Sequence, residues 1–188
     1  MKPVMLREAL AYGWTVFRSL ILAAFILYAL GAVAGAIVGA GTPIEQLERS
    51  DPGLLSRNPA TYIVHNTQSI AYFIGGMVTF GLSSLFALLF NGFLIGYLLI
   101  GLMKHIPVIP ALLHVIPHGL FEVPAMLLAG AVGLYPLRAI IRYTKAKEKF
   151  VFDWKPILGC TAASLLLLWV AGMIEAWFTP IVVMALSS

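Results

Sequence analysis

The sequence from Ile70 to Met103 is apolar and carries no charged residue. A helix needs only about 20 apolar residues, at a rise of about 1.5 Å each, to cross a hydrocarbon core of about 30 Å. The stretch is too long for one such helix. We therefore predict two membrane-spanning helices joined by a tight turn near residues 81–84.

The composition points to the same class of protein. Of the 188 residues, 61% are hydrophobic and only 11% are charged, whereas about a quarter of the residues of a soluble domain are charged. A chain of this size cannot cover so much apolar surface with its own polar atoms. The sequence therefore predicts an all-α, polytopic helical bundle, with residues 1–188 forming a single integral membrane domain.

Charges, prolines and polar runs divide this domain into about five transmembrane helices. The predicted spans cover residues 20–40, 61–80, 83–103, 117–137 and 156–177. Residues 1–19 mix basic and apolar side chains near helical spacing, which indicates an N-terminal interfacial amphipathic helix. The apolar segment 105–116 contains two prolines and is too short to span, so it is a candidate re-entrant segment.

The basic residues predict an orientation. If the N-terminus is cytoplasmic, only Arg49, Arg57 and Lys104 fall on the outer side, and the other Lys and Arg residues lie inside. Lys and Arg favour the cytoplasmic side, so we expect a multi-pass protein of the cell membrane with its C-terminus outside. Because the basic residues follow topology, the expected partner is the lipid bilayer and no nucleic acid. The lone Cys160 excludes an internal disulfide and a cysteine-based zinc knuckle.

Small residues recur at four-residue spacing in two places, Gly31, Gly35 and Gly39, and Gly92 with Gly96. This GxxxG spacing lets helix backbones approach closely. The sequence leaves open whether the facing helix belongs to the same chain or to a second protomer. The neighbouring Asn91 is expected to hydrogen-bond from one helix to another.

Several polar residues fall at predicted membrane depth, where an ionisable group costs about 2.5 to 3.5 kcal/mol. These residues are His65, Asn66, His114, His118, Glu122 and Glu175. Counting helix rise from the predicted boundaries places them in one layer near the outer face, with His114 fitting less well. His118 and Glu122 are spaced to share a helix face, and Pro124 is expected to kink the helix beside Glu122.

Three interpretations of this polar cluster remain open. It is a structural network that holds helices in register, a site for a divalent metal such as zinc with His118, Glu122 and Glu175 as ligands, or a proton or substrate pathway. The sequence contains neither HExxH nor GxSxG, so it supplies no complete catalytic motif.

Several of these residues also carry a family resemblance. The pairs Asn91-Gly92 and Glu175-Ala176, and the run from Pro117 to Glu122, resemble the stage II sporulation protein M family of integral membrane proteins. The likeness covers residues 66–180. It implies a small helical membrane protein that, in spore formers, works with cell-wall-remodelling partners, and it implies no catalytic activity. The family pattern singles out His118, Glu122 and Glu175.

The leading functional hypothesis is therefore a non-enzymatic membrane scaffold or assembly protein. We expect it to partner envelope-remodelling proteins, other membrane proteins or further copies of itself. Two alternatives are a membrane-embedded metal-dependent hydrolase and a small transporter, each using an outer-leaflet His/Glu pocket.

Overall fold

The computed structural model describes residues 3–43, 59–147 and 152–178. All the regular secondary structure in these ranges is helical. The helices are α1 (Pro3–Gly41), α2 (Pro59–Ile74), α3 (Leu82–His105), α4 (Val108–Gly133), α5 (Tyr135–Ala146) and α6 (Trp154–Met173), with a 3-10 turn at Gly75–Met77 and a π-helical turn at Ile174–Phe178.

Three of these helices are long and apolar enough to cross a membrane. They are the Trp14–Gly41 part of α1, α3 and α6, and α4 adds a fourth span if its two bent halves are counted together. The prediction of about five spans is therefore too high for the described residues. The difference arises at α2, which has 16 residues and so measures about 24 Å, less than a hydrocarbon core of about 30 Å.

The turn between α2 and α3 also lies earlier than predicted. It occupies residues 75–81, not 81–84, and it includes positive φ angles of 53° at Phe80 and 93° at Gly81. Consecutive glycines at 75 and 76 weaken the helix, and Gly81 supplies the left-handed conformation directly before α3. The apolar composition continues through this turn, so hydropathy alone does not reveal it.

Two other predicted segments are parts of longer helices. No separate interfacial helix covers the described part of residues 1–19, because α1 runs unbroken from Pro3 to Gly41 and no proline interrupts it. The candidate re-entrant segment 105–116 supplies the start of α4, which begins after Pro107 and continues through Pro117. The bend of α4 between Pro117 and Gly119 fits either a broken span or a re-entrant segment, so the re-entrant segment stays a prediction.

The bundle is organised around α4, which packs against α1, α2, α3 and α6. We call its two ends the tryptophan end and the lysine end. The tryptophan end contains Trp14 of α1, Gly133 of α4 and Trp154 of α6, and the lysine end contains Gly41 of α1 and Lys104 of α3.

A chain of aromatic rings crosses the tryptophan end. The ring centroids of Phe17 and Tyr135 are 5.7 Å apart, those of Tyr135 and Phe152 are 5.4 Å apart, and those of Phe152 and Trp154 are 5.5 Å apart. Trp14 and Trp154 are also exposed. Aromatic residues gather where a membrane meets water, so this ring chain marks one interface level and ties α1, α5 and α6 together there.

Candidate functional site

Helices α1 and α3 touch backbone to backbone along a glycine seam. A Cβ atom on Gly31 would overlap the carbonyl oxygen of Leu89, and one on Gly96 would overlap the carbonyl oxygen of Ala32. Such contact is available only to glycine and brings helix axes unusually close. The two ladders therefore face each other within one chain, with the helices parallel. The other close pairs are Gly35 with Phe93, Gly39 with Tyr97, and Gly92 with Tyr28.

Asn91 lies beside this seam but does not bridge it. Its Nδ2 donates to the carbonyl oxygen of Ala87 in its own helix, at 2.8 Å. The expected helix-to-helix hydrogen bond is therefore wrong for Asn91. A side-chain amide within a helix can be satisfied by the carbonyl one turn earlier, and this is the arrangement found.

At the lysine end of the seam, Lys104 of α3 hydrogen-bonds to the end of α1. Its Nζ donates to the carbonyl oxygens of Gly39, Ala40 and Thr42 at 2.8, 3.0 and 2.6 Å. The last carbonyls of a helix lack intrahelical partners and form the negative end of its dipole. A cation from α3 thus caps α1. From the sequence, Lys104 counted only toward the orientation of the protein in the membrane. Its capping role could not be predicted, because it requires α1 and α3 to run parallel and to end side by side.

Two helix irregularities coincide with polar residues named above. Helix α4 bends by 52° between Val108–Pro117 and Gly119–Gly133, which places His118 at the bend. Pro117 has no N–H to donate to the preceding turn, and this weakens the helix there. The bend lies one turn before the kink expected beside Glu122. At the end of α6, Glu175 lies in the π-helical turn, a rare conformation that is frequent at functional sites.

The backbone gives the relative levels of these residues. Gly133 packs against the carbonyl of Phe73, so α4 and α2 reach the tryptophan end at one level. Counting back at about 1.5 Å per residue places His65 about 12 Å, Glu122 about 16 Å and His118 about 22 Å from that level. Glu122 therefore lies near the middle of the bundle and within one helical turn of the level of His65.

Glu175 and His114 lie further toward the lysine end. The amide of Asp153 donates to Tyr135 Oη at 3.4 Å, which fixes the start of α6 at the tryptophan end. By the same rise, Glu175 is about 33 Å along the helix from Asp153, and His114 is about 28 Å before Gly133. These lengths follow the helices, and α4 bends by 52° between His114 and Gly133, so the common layer of the polar residues stays a prediction.

The helical segments that carry the polar residues nevertheless pack together. The π-helical turn of Glu175 contacts both α2 and α4. The side chains of His65, Asn66, His114, His118 and Glu175 lie outside the described part of the structure.

Tyr28 is a polar neighbour of Glu122 that the sequence did not single out. Tyr28 of α1 is buried and lies close enough to Glu122 to feel its charge. A tyrosine in the middle of a membrane span indicates a nearby polar group, because its buried hydroxyl needs a hydrogen-bond partner. Tyr28 also contacts Gly92 through its carbonyl, so the glycine seam positions the helix that carries it.

The metal prediction rests on His118, Glu122 and Glu175. Among the side chains that the structure describes, no three His, Cys, Asp or Glu residues are grouped to hold a metal ion. Two of the three predicted ligands are outside that set, so the metal site stays a prediction.

A buried polar contact joins α2, α3 and α4 at the tryptophan end. Ser84 Oγ donates to the carbonyl oxygen of Phe73 at 2.5 Å, and the Ser84 side chain is fully buried. Gly76 and Gly133 pack against Ser84 with no room for a Cβ atom. The turn after α2 is therefore held between the start of α3 and the end of α4.

An apolar groove of about 290 Å³ runs along the lipid-facing side of α1 and α3. Its lining contains no polar side chain, so its chemistry suits hydrocarbon and not a polar substrate. The lining residues are Leu30, Gly31, Ala34, Phe86, Leu89, Phe90 and Phe93.

Comparison with known proteins confirms the family resemblance seen in the sequence. Residues 24–180 match the family described as Stage II sporulation protein M, a range that begins within the first span. The chain is 34% identical over 129 residues to an uncharacterized protein of Methanocaldococcus jannaschii, covering 65% of this chain and 71% of that protein. No solved structure matches the chain. With most of its length matched, this protein belongs to the Stage II sporulation protein M family.

Proposed function

We propose that the protein is a non-enzymatic assembly subunit of the membrane, which acts by holding other membrane proteins or further copies of itself. The observation that carries this proposal is the rigid pairing of α1 and α3. Glycine contacts fix the pair along its length, and Lys104 fixes its end. Alternating access in a transporter needs elements that rock against each other, whereas a locked pair suits a fixed binding surface.

The outer faces of this pair are available to a partner. Ile37 of α1 is 68% exposed and Phe86 of α3 is 67% exposed. In a bilayer such side chains contact lipid or the helices of another protein. Family membership supports envelope remodelling as the setting in which these faces are used.

The proposed orientation places the tryptophan end in the cytoplasm and the C-terminus outside. Arg18, Arg142, Lys145 and Lys155 are exposed at the tryptophan end. This distribution supports the orientation that the positive-inside rule gives for the whole sequence.

Cross-linking within intact membranes tests the assembly proposal. In a Cys160→Ala background, Ile37→Cys and Phe86→Cys place single thiols on the lipid-facing surface, while Leu88→Cys places one in the core, where Leu88 is 0% exposed. A bifunctional maleimide should join Ile37→Cys or Phe86→Cys to a second chain, giving a product larger than the 20.4 kDa monomer, and leave Leu88→Cys uncross-linked. Monomers alone at every lipid-facing position would contradict the proposal.

A metal-dependent activity is the second candidate, and one observation favours it. Both helix irregularities fall on residues of the predicted ligand set, His118 and Glu175. Elemental analysis of chelator-free protein, wild type beside His118→Ala, tests this candidate. One equivalent of zinc or another transition metal that the variant loses would support it, and no metal in either protein would count against it.

A further inference from the structure

Helix α5 is the amphipathic element at the tryptophan end. It has 12 residues and follows α4 directly, starting with Tyr135 and Pro136. Its C-cap, Lys147, turns the chain away with a φ of 52°. Tyr135 belongs to the aromatic ring chain, so α5 begins at the level where the bilayer meets water.

The basic residues of α5 form one stripe. Arg138, Arg142 and Lys145 are spaced i, i+4 and i+7, which aligns them along one side of a helix. The next stripe holds Leu137 and Ile141, which are 37% and 44% exposed. Arg142 and Lys145 are exposed, whereas Arg138 is partly buried. Cationic and apolar stripes that run side by side are typical of a helix lying in the headgroup region.

The charged residues within α5 itself all have the same sign. No acidic residue occurs between Tyr135 and Lys147. Asp153, the acidic residue at the start of α6, caps that helix by accepting from the amide of Lys155 at 3.2 Å. Arg18 of α1 is exposed one residue after Phe17, which stacks on Tyr135. Basic side chains of α1 and α5 therefore lie at one level of the bundle.

We propose that α5 is a binding site for the phosphate headgroups of anionic phospholipids in the leaflet at the tryptophan end. The basic stripe pairs with headgroup phosphates, while Leu137 and Ile141 enter the adjoining acyl region. Charge complementarity selects the ligand, because Lys and Arg near a membrane surface attract anionic over zwitterionic lipids. This site does not depend on whether the chain assembles with partners.

Lipid competition on the intact protein tests the site. The protein is held in mixed micelles that contain equal amounts of phosphatidylglycerol and phosphatidylcholine with the same acyl chains. Native mass spectrometry then counts each retained lipid. Arg142→Gln with Lys145→Gln removes two exposed charges of the stripe, and Arg49→Gln with Arg57→Gln removes two charges from the segment between α1 and α2.

Wild type should retain phosphatidylglycerol in preference to phosphatidylcholine. The α5 double variant should lose about three-fold or more of that preference, since each basic residue near a lipid surface contributes about five-fold before screening. The control double variant should keep the preference, and both variants should melt at the wild-type temperature. No preference in wild type, or an unchanged one in the α5 variant, would overturn the assignment. An unchanged preference together with loss of a co-purifying acidic protein would reassign α5 to that protein.

Discussion

The ammonium nitrogen of Lys104 lies 2.8 Å from the carbonyl oxygen of Gly39, although the two residues are 65 positions apart in the sequence. This contact requires α1 and α3 to run parallel and to end at the same level. The glycine seam imposes the same register one to three turns earlier. Two independent features thus hold one helix pair, which is the basis of the proposed assembly role.

Replacing Lys104 should loosen this pair. Lys104→Met leaves the carbonyl oxygens of Gly39, Ala40 and Thr42 at the end of α1 without their charged donor, and we expect the free energy of unfolding to fall by about 2 kcal/mol. Lys155→Met serves as the control, because Lys155 is exposed. Unfolding by denaturing detergent in mixed micelles measures both variants, and equal effects would show that the cap does not stabilise α1.

The glycine seam predicts a contrast between two Gly→Ala substitutions. A Cβ on Gly96 would overlap the carbonyl of Ala32, whereas one on Gly159 meets nothing within 4 Å. Gly96→Ala should destabilise the protein by about 1 to 3 kcal/mol through overpacking. Gly159→Ala should be neutral or slightly stabilising, since alanine favours the helix by about 0.5 to 1 kcal/mol. The same unfolding assay compares the two, and a wild-type value for Gly96→Ala would refute the backbone contact.

The stability of the protein should tolerate an amide in place of the Glu122 carboxyl group, but not an alkyl side chain. The predicted structural network gives Glu122 a polar partner within the bundle, and Tyr28 of the neighbouring helix α1 lies near enough to feel its charge. Glu122→Gln should be nearly as stable as wild type, while Glu122→Leu should lose about 1 to 2 kcal/mol because a buried polar partner is left unsatisfied. Chemical unfolding distinguishes the two, and a fully stable Glu122→Leu would argue that no partner depends on this side chain.

Ser84 should contribute more to the stability of the fold than its small side chain suggests. Ser84→Ala removes the donor to the Phe73 carbonyl and should cost about 1 to 2 kcal/mol. The exposed Ser19 provides the control, and Ser19→Ala should change little. Thermal unfolding measures both, with the prediction failing if the two substitutions behave alike.

What the sequence could predict depended on length and composition. The Trp14–Gly41 part of α1, α3 and α6 were recognisable because an apolar length able to cross a bilayer is a local property. The end of α2 was not, because the turn from Gly75 to Gly81 is as apolar as the helices it joins. Hydropathy does not register a change of backbone conformation, so the second span was drawn too long.

The candidate site shows the same limit. Polar residues could be singled out because the bilayer makes them costly, but their common layer could not be tested without knowing where the helices end. The bend at His118 begins at Pro117, and the expectation had relied on Pro124. The roles of Lys104 and Tyr28 depend on which helices are neighbours and in which direction they run, and this is tertiary information.

The most direct test of the assembly role is the mass of the particle extracted with its surrounding lipid by a styrene–maleic acid copolymer. After subtraction of the lipid, we predict a defined protein mass above that of one 20.4 kDa chain, from a second copy or a stoichiometric partner. A particle that contains a single chain and no other protein, at every expression level, would contradict the account.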